Sequence, residues 1–186
     1  MAEQKTFSPL IGFLVVEKTT AADGYVAALM VTDDRGYPLE FRASTPIRPT
    51  LVQKTLYGGQ LEHYVGVELC GKALVQQSSR KPKILVVPNR WLLDIASHVE
   101  SSAVAIWRAG ETLAVEEDEV AITRGTIKAT GAYKSLVYEG RFKYKDSEKE
   151  ILAFLQDCAS RFDLVEAFER VRAALQLLAK EDSRYA

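Results

Sequence analysis

The residues best equipped for chemistry lie between Arg124 and Lys145. Arg124, Lys128, Lys134, Arg141, Lys143 and Lys145 stand there against one acid, Glu139, with Tyr133, Tyr138, Phe142 and Tyr144 interleaved. Basic groups neutralise phosphates and aromatic rings stack on bases, so this stretch is a candidate nucleic-acid interface. In an extended strand, Arg141, Lys143 and Lys145 share one face, and Phe142 and Tyr144 share the other. The competing reading is a half-buried strand with a basic outer face. The acids of residues 111–119 would neutralise that face across a hairpin.

Other constellations carry less. Gly66–Lys72 has the spacing of a phosphate-binding loop, but Ala73 stands where a hydroxyl must hold magnesium, and Glu68 would repel phosphate. His63 and His98, the two histidines, have no Cys, Asp or His at metal-ligand spacing. No nucleophile motif accompanies them. Asp33 and Asp34 have a sufficient local role in a hairpin turn. Glu116–Glu119 reads as a solvated turn or a partner-binding edge. Asn89 and Arg90 fall where an apolar strand hands over to a helix, a place where open α/β sheets collect ligands. A capping residue beside an exposed arginine explains the pair better.

Composition bounds the rest. The 186 residues are 47% hydrophobic and 26% charged, an ordinary globular balance. With 24 basic and 25 acidic residues the net charge is −1, so no global field steers the chain to DNA or an anionic membrane. Cys70 and Cys158 sit among apolar neighbours and read as buried free thiols. Met1–Ser8 lacks an apolar signal core, and no apolar run is long enough to span a membrane. The expectation is a cytoplasmic protein with no membrane contact and no cofactor.

These side chains need a scaffold. Phe13–Val16 and Tyr25–Val31 are dry runs, the mark of central strands. Asp33–Gly36 makes the hairpin to a third strand, where Leu39, Phe41 and Ala43 alternate with Glu40 and Arg42, as at a sheet edge. Helix follows over Thr50–Tyr57 and Gln60–Gln77. Then come a dry strand to Val87, a helix carrying Trp91, Leu92, Ile95, Ala96 and Val99 on one face, and a fifth strand over Ala103–Trp107. Beyond Gly110, Thr112–Val115, Val120–Thr123, Thr126–Ala129 and Leu136–Tyr144 look β-like. Capping-box spacing at Ser147/Glu150 and Asp163/Glu166 starts two final helices, the last with Leu164, Phe168, Val171, Leu175 and Leu178 at spacings of 3 and 4. The reading is one mixed α/β domain over 1–186: a core at 11–108, a β-hairpin extension at 111–145 and a helical pair at 147–180. Strand four is expected beside strand one.

Three antiparallel strands followed by helix, strand, helix, strand resembles the ribonuclease-H-like order over residues 11–108. Nucleases of that kind hold two metal ions with carboxylates on the first strand and at the end of the fourth. Glu17 ends the first strand, and Glu68 is a second candidate from the helix, but the fourth strand ends in Pro88–Asn89, and Asp94 lies far along the next helix. The resemblance therefore implies a relative with an incomplete catalytic set, more readily a non-enzyme than an enzyme.

Two functions follow. The first is a non-catalytic adaptor subunit of a protein assembly, with a protein partner or a second copy docking on the stripe of Leu164, Phe168, Val171 and Leu175. The alternative is a nucleic-acid-binding or nuclease-accessory protein that uses residues 124–145.

Overall fold

A computed structural model describes residues 9–19, 24–110, 122–128, 133–143 and 145–182. Residues 111–121, with Glu116–Glu119, lie outside the described residues, as does Tyr144. Three strands open the chain: β1 (Ile11–Lys18), β2 (Tyr25–Thr32) and β3 (Pro38–Ala43). β1 and β2 are dry almost throughout because helices cover both faces. The β2–β3 turn works as its residues demand. Asp33 Oδ1 accepts from the backbone N–H of Arg35 and Tyr37, and Gly36 takes φ 78°, with the Phe162 ring packed behind it.

β4 (Ile84–Val87) runs parallel to β1, and β5 (Ser102–Arg108) runs parallel to β4. β7 (Leu136–Arg141) then pairs antiparallel with β5, and β6 (Thr123–Ile127) with β7. The sheet order is β3-β2-β1-β4-β5-β7-β6. The expected neighbour of strand one and the outermost place of strand three are both observed. The expected hairpin extension instead lengthens the main sheet at its β5 edge. Because β7 ends at Arg141, Arg141, Lys143 and Lys145 do not share a strand face; helix α4 (Lys145–Arg161) starts there, two residues before Ser147.

The connection from β3 to β4 is helical. A Thr50 capping box opens α1 (Leu51–Tyr57). After a 3-10 turn, α2 (Leu61–His63), a π-helix (Tyr64–Gly71) and α3 (Lys72–Gln77) run on as one rod. The N–H of Lys72 bonds to the carbonyl of Val67, the i to i−5 link of a π-turn. The expected helix after Asn89 is a 3-10 helix (Arg90–Ser97) with no side-chain cap.

Two cores result. On one face Phe13, Val15, Met30, Val86, Val104 and Ile106 pack against α4 and α5 (Glu166–Glu181). On the other, Leu14, Leu29, Leu85, Ala103 and Ala105 pack against the rod and the 3-10 helix. The stripe on the last helical pair belongs to the first core. Leu164, Phe168, Val171 and Leu175 are all buried against the sheet, and Phe168 meets Phe13 edge to face at 5.8 Å. Their spacing reflects intramolecular packing, so they form no partner surface. Exposed apolar side chains occur instead on α1, where Leu51, Val52 and Leu56 are 80%, 66% and 77% exposed. Cys70 and Cys158 are free and buried, and burial raises both thiols, Cys158 to about 12. Among the described residues no helix is long and apolar enough to cross a membrane.

Candidate nucleic-acid interface

The second face is the one that matters here. Side chains alternate along each strand, so Val87, Ala105, Glu139 and Arg124 form one row across β4, β5, β7 and β6. One step along, towards the start of β5, the row is Leu85, Ala103 and Arg141. One step the other way it is Trp107, Val137 and Thr126. β5 contributes only methyl groups, Ala103 and Ala105, beneath the 3-10 helix. The helix therefore lies low over β5, and its long side chains reach across to β7.

Arg90 makes that crossing. Its Nε lies 3.0 Å from Glu139 Oε2. Arg124 approaches from the other side, with Nε donating to Glu139 Oε1 at 2.8 Å and Nη2 bonded to the same oxygen. Glu139 is 2% exposed, while the two guanidinium side chains are 28% and 50% exposed. One buried carboxylate thus hydrogen-bonds Arg124 and ion-pairs with Arg90 through an oxygen that makes no hydrogen bond, and the trio carries a net positive charge. One turn further along the 3-10 helix, Asp94 pairs with Arg141 through one oxygen and with His63 Nε2 at 2.6 Å through the other. His98 meets Glu68 at 3.1 Å, so both histidines bridge the rod and the segment after β4. Among the described residues each histidine meets a carboxylate across that junction.

The residues singled out from the sequence are thus partly brought together. Arg124 and Arg141 join the same face, but as paired groups rather than a free basic row. Lys128 and Lys134 are exposed near the Trp107 end of the sheet, and Lys128 is pinned through its backbone to Gln156. Lys143 is exposed at the opposite end, beside Ser102. Lys145 opens α4, and its side chain lies outside the described residues. Sequence reasoning missed Glu139 as the organising group. Its signal was being the lone acid in a basic stretch while sitting mid-strand between apolar neighbours.

The metal candidates do not converge. Glu17 points to the α5 side, where Arg172 Nε donates to it at 2.7 Å, at the mouth of a recess of about 290 Å3. Glu68 and Asp94 lie in the opposite layer, each against a histidine. Among the described residues, no three His, Cys, Asp or Glu side chains are grouped to hold a metal ion. Where a carboxylate would be needed at the end of β4, this chain places Asn89 and the anchored Arg90.

No family model and no curated protein matches the chain. Solved structures do. Endonuclease V of Bacillus subtilis superposes with a TM-score of 0.56 at 14% identity, covering 92% of this chain and 82% of that one. A variant of Ciona intestinalis endonuclease V, crystallised with a 23mer DNA containing an inosine followed by a ribo-adenosine, gives 0.50 at 11% identity, over 91% and 86%. Similarity at such low identity is a similarity of fold. Together with the strand order, it identifies the architecture as the mixed α/β, ribonuclease-H-like fold.

Proposed function

We propose that this protein binds nucleic acid through the surface around Arg90 and Arg124 and does not itself cut it, as an accessory on a ribonuclease-H-like scaffold. The observation that carries the reading is the buried Glu139 on β7, paired with Arg124 of β6 and with Arg90 just past the end of β4. Held guanidiniums neutralise phosphate without a metal and without the entropy cost of ordering a free side chain. The fold neighbours are consistent with it, since one was crystallised on DNA. The separated carboxylates support the non-catalytic half of the reading.

The test is fluorescence anisotropy with a labelled oligonucleotide at about 50 mM salt. The intact protein should bind, and binding should weaken as salt rises. Arg124→Glu should lower affinity about tenfold and flatten the salt slope by roughly one unit. No binding by the intact protein at low salt removes the reading.

A protein-partner role keeps one observation on its side, the exposed Leu51, Val52 and Leu56 of α1. Sedimentation tests it. A second copy on this helix would make the chain a dimer that Leu56→Glu dissociates, whereas a strict monomer at high concentration removes that version.

A further inference from the structure

The chain contains two tryptophans, and both lie on the face that holds Arg90 and Glu139. Trp91 follows it on the 3-10 helix. Trp107 lies on β5, two residues from the Ala105 over which Arg90 crosses. Other rings lie on the helical side of this face. The His63 ring lies 6.3 Å from Trp91, and the next residue along the rod, Tyr64, stacks on Tyr57 at 4.4 Å and 18°. Tyr57, Tyr64, Trp91 and Trp107 share one property: each is partly buried, packed on the rim of the second core and still reaching the surface. Trp91 is held most firmly. Its ring fills the space over Gly66, where an added Cβ would sit 2.7 Å away. Trp91 follows Arg90 directly, and Trp107 lies one row along the sheet from Ala105, the strand partner of Glu139, so these two rings share the face of the Glu139 cluster.

Resting on the nucleic-acid reading above, we infer that the ligand of this surface is a single strand rather than a duplex. A duplex offers phosphates at its surface but stacks its bases on one another, so flat rings would find nothing to cover. A single strand offers both, and base–ring stacking beside a basic track is the physical signature of single-strand binding. Guanidiniums alone would serve either form; the flat, partly exposed Trp91 and Trp107 rings on the same face serve only the single strand.

The experiment compares an unstructured oligothymidine with a hairpin duplex of equal nucleotide number, followed by anisotropy and by intrinsic tryptophan fluorescence. The single strand should bind at least about tenfold more tightly and quench the emission, because both emitters line the site. Trp107→Leu keeps an apolar side chain on the rim but removes the flat ring. It should weaken single-strand binding about tenfold and leave duplex binding within about twofold. Failure of both ligands to bind sinks the nucleic-acid reading itself. Equal affinity for both, or an unaltered single-strand affinity in Trp107→Leu, overturns this inference and leaves that reading standing.

Discussion

Replacing Glu139 with Gln gives two effects of opposite sign, which makes it a sharp test of the site. The substitution removes one negative charge from beside the proposed phosphate track and keeps the side-chain shape. By Coulomb attraction alone, an extra net positive charge about 8 Å from a phosphate in water is worth ~0.5 kcal/mol, or about twofold tighter binding. The orientation argument runs the other way. Glu139 holds Arg90 at 3.0 Å and Arg124 at 2.8 Å. Each freed arginine regains much of ~2 kcal/mol of rotamer entropy and must be ordered again on binding. If half of that is lost at both residues, the cost is about 2 kcal/mol, larger than the Coulomb gain, and affinity falls about tenfold. Stability falls as well. Breaking a fully buried pair costs roughly 3–5 kcal/mol. Here the guanidiniums are partly exposed and can rehydrate. About 2 kcal/mol remains, or a midpoint about 4–8 °C lower at this chain length. Oligonucleotide anisotropy and thermal denaturation on the same preparation read both numbers. A Glu139→Gln protein that binds more tightly than the wild type, with an unchanged midpoint, would refute the claim that this carboxylate organises the surface.

Glu40 offers a pH test. Burial pushes its carboxyl up, but hydrogen bonds from the N–H of Arg80 and Ser79 and the hydroxyls of Ser78 and Ser79 outweigh this and bring it from 4.5 down to about 2. A depressed carboxylate contributes stability that is complete above about pH 4.5 and lost as pH falls towards 2. After discounting for solvent screening, Glu40→Gln should cost ~2 kcal/mol at pH 7 in urea unfolding, with the difference closing between pH 4.5 and 2. A difference that persists undiminished near pH 2 contradicts the assignment. Gly66→Ala should cost about 1–3 kcal/mol, because the new methyl meets the Trp91 ring at 2.7 Å. It should also shift the tryptophan emission, and an unshifted spectrum with native stability would show that the ring yields freely. Phe168→Ala should cost about 3–5 kcal/mol by opening a void against Phe13, and a loss under 1 kcal/mol would mean that the helix is not docked there.

The sheet's first five strands could be read from the sequence for a simple reason. Strands covered on both faces, such as Tyr25–Thr32, are apolar at successive positions. The third strand lies at the edge as expected, but its expected dry face is not observed, since Leu39 and Phe41 are exposed and Glu40 is held by the Ser78–Arg80 turn. The pairing of β7 with β5 left no such mark. An antiparallel addition needs only a second half-apolar strand, and many placements satisfy one. The stripe from Leu164 to Leu175 was correctly seen as apolar, but periodicity does not say whether a helix faces its own sheet or a stranger. The site was less legible still. Arg124 and Arg141 were visible as charges, yet their partners Glu139 and Asp94 are chosen by strand register and by the height of a helix above the sheet. The π-turn in Tyr64–Gly71 was invisible, since its apolar content fits an α-helix equally well.

The two alanines of β5 set how the surface can change over time. Ala105 is the strand partner of Glu139 and Ala103 that of Arg141, so beside both arginine contacts β5 carries no more than a methyl group. A valine at either position would lift the overlying helix and uncouple both arginines with no change in charge. Related chains could therefore gain or lose this surface while keeping every charged residue. Side-chain volume at 103 and 105 would tell them apart where a comparison of acids and bases would not.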